Sequence, residues 1–383
     1  MHGALHRVLV ESSDCAQGKI APTMTSLSAL LAAQIRNAIR DAGGWIGFDR
    51  FMQQALYAPG LGYYANDLRK FGAMPDSGSD FVTAPELSPV FGAVLAEQVR
   101  EALAATQTDE IWEFGAGSGA LAAQVLGALG DGVRRYTIVD VSTSLRMRQQ
   151  QALAPFAGKV QWAQRLPERI EGVVLGNEVL DAMPVQLLQR TDGLWHERGV
   201  VVHGDGFAWL DRPTDLRPPV EVPGDHDYLT EIHPQAEGFV RTLARHLVRG
   251  AAFLIDYGFP ESEYYHPQRA QGTLVCHRAH QVDTDPLADP GLKDITAHVN
   301  FTGIALAAQE AGLNVLGYTS QARFLLSNGL LQKTELLAPD QQVLALKLVH
   351  EHEMGELFKV LAVGPGEAWP PRGFAQGDRT HRL

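Results

Sequence analysis

Apolar and polar positions along this chain follow two different periods. Between residues 24 and 57 the spacing is helical, clearest in LSALLAAQIRNAI, and a Gly-Gly pair at 43–44 divides it from FDRFMQQALY. Residues 88–105 have helical spacing again. From residue 110 short apolar runs take turns with amphipathic stretches. IWEF precedes a helix reaching about residue 129, RYTIVDV precedes SLRMRQQQAL, and KVQWA and GVVLGNEV follow. Strands alternating with helices predict a parallel sheet with helices on both faces, an α/β fold. The rhythm breaks at about 185–232, where VQLLQR, LWHERGVVVH and GFAWLDR read as strands joined at Asp192-Gly193 and Gly204-Asp205-Gly206, a β insertion. It resumes with the helix PQAEGFVRTLARHLV and the strand GAAFLIDYG, and then meets a Pro-, Gly- and His-rich loop at about 258–293. The helix FTGIALAAQEAG, the strand LNVLGYTS, helices near 320–350 and the strand FKVLAVG complete it.

The pattern divides the chain into a loose leader at 1–23, a helical and loop cap at 24–105, a core at 106–363 and a flexible tail at 364–383. The Gly-, Pro- and aromatic-rich stretch at 58–92 is expected to form long ordered loops of functional type. The leader lacks a continuous apolar run and carries Glu11 and Asp14, poor features for a transit peptide, which makes Met24 a candidate functional start.

Charge narrows the function classes. The 383 residues hold 32 Lys and Arg against 44 Asp and Glu, a net charge of -12. That balance opposes sequence-independent binding to nucleic acid, which draws its affinity from cationic contacts to phosphate, and it suits a cationic substrate. Two cysteines, Cys15 and Cys276, do not make a disulfide framework and fit a reducing cytoplasm. No apolar run reaches transmembrane length, so no membrane span is expected.

The candidate chemistry begins at DEIWEFGAGSGALAAQVLGAL, residues 109–129. Gly115, Gly117 and Ala120 fit the dinucleotide fingerprint, with Asp140 ending the next strand 21 residues after Gly119. The glycine turn of S-adenosylmethionine (SAM) sites has the same mechanics. Glu113 separates the two ligands, because a carboxylate at the mouth of the turn repels a pyrophosphate and attracts an ammonium and a sulfonium. A second cluster follows the fourth strand in GVVLGNEVLDAMPVQLL: Asn177, Glu178 and Asp181 fall at the carboxyl edge of the sheet, where ligands sit in open α/β folds. Glu178 and Asp181 are three apart and share a face of a helical turn, a pair suited to a guanidinium. The competing reading makes Asn177 an N-cap with two acids in the first turn. Glu231 and His233 in TEIHP, and Asp256 and Tyr257 ending LIDYG, either border the pocket or belong to the framework. Tyr63, Tyr64 and Phe71 either wall the cofactor or staple their loop. Cys276, His277 and His280 fit no closed zinc set, so no metal is expected.

Four segments carry a family resemblance: FMQQALYAPGLGYY (51–64), SDFVTAPELSPVFG (79–92), EFGAGSG with IVDVSTSLRMRQ (113–149) and GNEVLDAMPV (176–185). LTEIHPQA, FLIDYGFPESEYYHP, GTLVCHRAH and DITAHVNF continue it, so that it covers about residues 24–363. The chain resembles the MidA-like SAM-dependent methyltransferases, whose mitochondrial members are complex I assembly-factor arginine methyltransferases. The resemblance implies a class I methyltransferase, Rossmann-like sheet, mostly parallel with an antiparallel last strand, plus a helical N-terminal cap and the β insertion. It implies SAM as cofactor, S-adenosyl-homocysteine as product, and an arginine of a respiratory complex subunit as target. Glu113, Gly115, Ala116, Gly117 and Gly119 would hold the methionine end and Asp140 the ribose. Thr83 and Pro85 would close over the cofactor, with Asn177 against it. Asn177, Glu178 and Asp181 would be catalytic, and Glu86, Pro184, Glu231, Asp256, Tyr257, His298 and Asn300 would line the substrate pocket. Two positions depart from the family: Ala116 replaces a frequent Pro, and Asn300 in HVNF replaces a frequent Asp that could bind the substrate cation. A homodimer is a further expectation. Three other functions stay open: methyl transfer to a small molecule or another side chain, a non-catalytic scaffold on the same fold, and an NAD-dependent oxidoreductase.

Overall fold

The computed structural model describes residues 24–66, 82–140, 143–278 and 281–383. The leader at 1–23, Phe71 and His280 lie outside the described residues. The central sheet contains β1 (Glu110–Phe114), β2 (Arg135–Val139), β3 (Val160–Ala163), β4 (Ile170–Asn177), β5 (Leu247–Phe259), β6 (Asn314–Ser320) and β7 (Phe358–Gly364), in the spatial order β3-β2-β1-β4-β5-β7-β6. Strands β3, β2, β1, β4 and β5 pair in parallel. Strand β7 runs antiparallel to both β5 and β6, so the mostly parallel sheet has the expected antiparallel last strand. The short strand Val299–Asn300 pairs in parallel with the end of β5.

The sequence of the middle strands explains their place. β4 and β5 read as nearly continuous apolar runs and are buried along almost their whole length, as strands covered on both faces must be. Helices Val90–Thr106 and Ala120–Leu129 cover one face through Phe91, Leu95, Leu121 and Val125. Helices Pro234–His246 and Phe301–Glu310 cover the other through Val240, Leu243, Phe301 and Ile304.

The insertion forms a second sheet in which Ile46–Gly47, Leu194–His203, Gln186–Thr191 and Tyr228–Ile232 lie side by side, with Gly206–Pro213 paired to Leu194–His203. Asp192 and Gly193 both take positive φ, 51° and 76°, which lets a two-residue turn follow the twist of the strands. The N-terminal helices Met24–Asp41 and Phe48–Tyr57 pack on this second sheet: Leu31, Ile35, Phe51 and Met52 join Leu187, Val200 and Ile295 in one apolar cluster. The segment between β5 and the Phe301 helix, expected as loop, carries a three-stranded sheet of Gln281–Asp283, Val275–Arg278 and Asp294–Thr296.

The tail differs from the expectation of a flexible end. Phe374 is buried against Phe324, with ring centroids 5.5 Å apart, and the Gly373 N–H donates to Gln98 Oε1 at 2.8 Å. Arg379 makes a two-pronged pair with Glu356 at 2.8 and 3.1 Å. One buried aromatic ring and one guanidinium fork anchor a stretch whose Pro and Gly content reads as loose.

Candidate active site

The strand order reverses between β1 and β4, which opens a crevice at their carboxyl ends. A cavity of about 970 Å³ fills it. Its wall combines the glycine turn after β1, the segment before the Val90 helix, the turn after β4, the end of β5, Tyr57 of the Phe48–Tyr57 helix and Asp294 of the three-stranded sheet.

The glycine turn needs its residue types. Gly115, Gly117 and Gly119 have φ of 62°, 53° and 90°, a region costly for residues with a Cβ. At Gly115 a Cβ would also fall 3.1 Å from Val179 Cγ2. Ala116 is buried and its carbonyl accepts the Gly119 N–H at 2.8 Å, so the turn closes without the proline common in the family. Gly119 begins the Ala120 helix rather than facing the cavity. Ser118 Oγ donates to Glu86, and Gln124 Nε2 donates to the Pro85 carbonyl at 2.7 Å. These bonds hold the short helix Ala84–Leu87, and with it Thr83, Pro85 and Glu86 of the cavity wall, against the glycine turn.

Glu113 is 2% exposed and accepts the Tyr136 hydroxyl at 2.8 Å. Burial pushes its carboxyl up to about 8, the Tyr136 bond opposes this and the Asp140 charge adds to it. Gln149 Nε2 donates both to Asp140 Oδ2 at 2.9 Å and to the Gly117 carbonyl at 3.0 Å, while its oxygen accepts Trp162 Nε1 at 2.9 Å. One buried amide therefore joins the acid after β2 to the glycine turn.

The turn after β4 holds the second cluster. Glu178 takes a left-handed φ of 53°, uncommon for a residue with a Cβ, and its N–H donates to the Ile255 carbonyl at 2.8 Å. Asn177 Nδ2 donates to Glu178 Oε1 at 3.0 Å, and the Tyr257 hydroxyl donates to Asp181 Oδ2. Asn177 Oδ1 and Asp181 Oδ1 are buried with no hydrogen-bond partner in the protein. Burial and then the Asp181 charge push the Glu178 carboxyl up to about 8. Burial also raises Asp181, against the stabilising Tyr257 hydroxyl. Asn177, Glu178, Asp181, Pro184, Tyr257 and His298 all border the cavity.

The N-cap reading of Asn177 fails, because the segment after β4 is a turn and its N–H groups have another acceptor. Asp256 Oδ2 takes the N–H of Val179, Leu180 and Asp181 at 3.1, 2.9 and 3.2 Å. That role turns Asp256 away from the cavity. Glu231 is likewise taken up by the fold: it accepts the Tyr264 hydroxyl at 2.8 Å and the N–H groups of Thr273 and Leu274 at 2.8 and 3.1 Å. His233 meets the same Tyr264 hydroxyl at 3.1 Å inside the core. Asn300 caps the Phe301 helix through the Gly303 N–H at 3.3 Å. None of these three predicted pocket residues, Asp256, Glu231 or Asn300, lines the cavity. The Asp-to-Asn departure at 300 thus removes no acid from its wall.

Tyr64 lines the cavity, and its hydroxyl reaches both oxygens of Asp294 at 2.9 Å. Tyr57, Gln149 and Asp294 were not singled out in the sequence. Gln149 lies in a polar helix whose pattern gave no sign of burial, and the Tyr64–Asp294 contact spans 230 residues. Among the described residues no His, Cys, Asp and Glu group is arranged to hold a metal ion. His277 lines the cavity, whereas Cys276 is buried and its thiol is pushed up to about 12. Among the described residues of the cavity wall are six carboxylates, Glu86, Glu113, Asp140, Glu178, Asp181 and Asp294, and no Lys or Arg.

Comparison with known proteins gives a consistent picture. A family model described as S-adenosyl-L-methionine-dependent methyltransferase matches residues 94–319. A crystal structure from Burkholderia thailandensis, bound to S-adenosyl-homocysteine, superposes with a TM-score of 0.91 at 49% identity, covering 96% of this chain and 100% of that one. The Danio rerio protein arginine methyltransferase NDUFAF7, mitochondrial, is 27% identical, with 84% of each chain covered. Its Drosophila melanogaster homolog is 29% identical, with 90% of this chain and 88% of its own covered. Both relatives are named mitochondrial, which overturns the cytoplasmic expectation drawn from the cysteines. Among the described residues no helix is long and apolar enough to cross a membrane.

Proposed function

The chain belongs to the family of S-adenosyl-L-methionine-dependent methyltransferases, and from that premise we propose that it methylates the guanidinium of an arginine in a polypeptide. Its cofactor is SAM. The observation that carries the arginine reading is the cavity wall, with six carboxylates and no Lys or Arg among its described residues. A cofactor with one ammonium, one sulfonium and one carboxylate brings a single net positive charge to these six acids, and a cationic acceptor brings a second, which favours the ionised form of the raised Glu113 and Glu178. The names of the curated relatives support the same substrate. The family resemblance extends the reading to a respiratory complex subunit as the target.

The residues fit the cofactor. The left-handed Gly115 and Gly117 would let the backbone approach it, Glu113 would face its ammonium, Asp140 would accept from its ribose, and the unpartnered Asn177 Oδ1 is an acceptor at the same wall. Bound there, SAM supplies a methyl group on a sulfonium that leaves as a neutral thioether.

An arginine nitrogen is a poor nucleophile because its lone pair is delocalised and its pKa exceeds about 12. Asp181 and Glu178 act on that problem. Their carboxylates pair with the guanidinium edge, turn one nitrogen toward the methyl group and localise positive charge on the nitrogens they contact. As the N–C bond forms, that nitrogen loses a proton, and an adjacent carboxylate accepts it. The Tyr257 hydroxyl fixes the orientation of Asp181, and Asn177 does so for Glu178.

Incubating the purified protein with methyl-deuterated SAM and a lysate of cells lacking the gene tests this reading. Peptide mass spectrometry is expected to find the label on arginine. Label on a small molecule or on another side chain contradicts the proposal, as does cofactor binding with no labelled product.

A further inference from the structure

Asp294 is 3% exposed and lines the same cavity as Asp181 and Glu178. It opens the strand Asp294–Thr296, which belongs to the small sheet paired through Val275–Arg278 and so reaches the site from outside the central sheet. Its charge contributes to the raised Glu178 carboxyl, which puts the two acids within electrostatic reach. Tyr64 spans both Asp294 oxygens at 2.9 Å and stacks on Tyr57, with ring centroids 5.6 Å apart and planes 24° apart. The Tyr57 hydroxyl in turn donates to the Ala182 carbonyl at 2.9 Å, one residue beyond Asp181. Two stacked phenols therefore tie the Asp294 carboxylate to the turn that carries Asp181. The cation next in sequence, Lys293, is engaged elsewhere, with Asp283 and with the Asp285 carbonyl at 2.7 Å.

We infer that Asp294, oriented by Tyr64, is a specificity-determining residue that binds the substrate cation together with Asp181, against the rings of Tyr57 and Tyr64. The inference rests on the guanidinium reading above and adds a third carboxylate to it. A guanidinium presents five N–H donors in one plane, so acceptors on two of its edges fix it better than one, and its face stacks on aromatic rings. A neutral isostere leaves both acids desolvated without a counter-cation, which is a strong basis for rejecting it.

The probes are N-acetyl-L-arginine amide and its neutral isostere N-acetyl-L-citrulline amide, titrated by calorimetry into the complex with S-adenosyl-homocysteine. The wild-type protein is expected to prefer the arginine probe. Asp294→Asn is expected to weaken arginine binding by about tenfold or more, with little change for citrulline and with S-adenosyl-homocysteine affinity retained. Tyr64→Phe keeps the ring and the acid and is expected to lose part of the preference. An arginine affinity in Asp294→Asn equal to wild type overturns this inference and leaves the guanidinium reading intact. Failure of the wild-type protein to prefer arginine overturns both. If Asp294→Asn no longer binds S-adenosyl-homocysteine, Tyr64→Phe decides, and an unchanged preference in that variant overturns the inference.

Discussion

Asp181 and Asp256 are both buried acids beside Tyr257, at 5% and 1% exposure, yet they have opposite fates. Asp256 is filled by the fold: Oδ2 takes three backbone N–H groups and Oδ1 takes the Tyr257 N–H at 3.0 Å. Asp181 has a phenol hydroxyl on one oxygen, and its other oxygen is buried at the cavity without a partner. Burial raises the pKa of both and so does not tell them apart. The donors do. Backbone donors are fixed once the chain has folded and exhaust the carboxylate, whereas an unmade bond at a cavity wall leaves capacity for a ligand. Glu231 falls with Asp256, and Glu178 falls with Asp181.

The comparison breaks most sharply in paired variants. Asp181→Asn is expected to lower turnover by about 10²–10⁴-fold, the usual worth of a positioned acid or base, with S-adenosyl-homocysteine affinity unchanged by calorimetry. Asp256→Ala is expected to do the reverse in kind. It strips the acceptor from three buried N–H groups and should cost about 3 kcal/mol of stability or more in denaturant unfolding. If the first variant unfolds and the second only loses turnover, the division is wrong.

Gly117→Ala probes the cofactor end. A Cβ at φ of 53° costs about 1–2 kcal/mol of backbone strain and holds the turn off the ligand, so cofactor binding should weaken about tenfold.

The smallest effect is a pH slope. Glu113 and Glu178 are held near 8 in the folded chain against an ordinary 4.5, so the folded state keeps protons that the unfolded state has released. Their contribution to stability is therefore lost as pH rises toward 8. His233 and His298 are lowered to about 4 and slope the other way, but only below their ordinary 6.5. Between pH 6.5 and 8 the melting temperature of the cofactor-free protein should fall. A cationic cofactor lowers the Glu113 carboxyl again, so the gain in melting temperature on adding SAM should grow over the same interval. Glu113→Gln should flatten both trends, and a variant that keeps them shows that other groups set the slope.

The sheet was legible because its strands are apolar runs divided by helical spacing, and the glycine turn because its backbone conformation demands glycine. The N-terminal segment reads as a helical cap. The apolar stripes of Met24–Asp41 and Phe48–Tyr57 say only that these helices pack, and the partner they pack on is the insertion sheet. The same limit governs the site. LGNEVLD and LIDYG both place an acid after an apolar run, and nothing in either string tells which acid the backbone will capture. Asp294 follows a lysine in a loop-like stretch and gains its place only through Tyr64, far away in the chain. Sequence located the edge where the chemistry gathers, and hydrogen bonds between distant segments sorted the residues along it.

The central claim is that Asp181 and Glu178 face a guanidinium across the bound cofactor. A crystal structure with S-adenosyl-homocysteine and N-acetyl-L-arginine amide tests it most directly. The account predicts a guanidinium nitrogen in hydrogen-bond contact with Asp181 Oδ1 and directed at the cofactor sulfur. A guanidinium seated outside this cavity, or touching neither Asp181 nor Glu178, would contradict it.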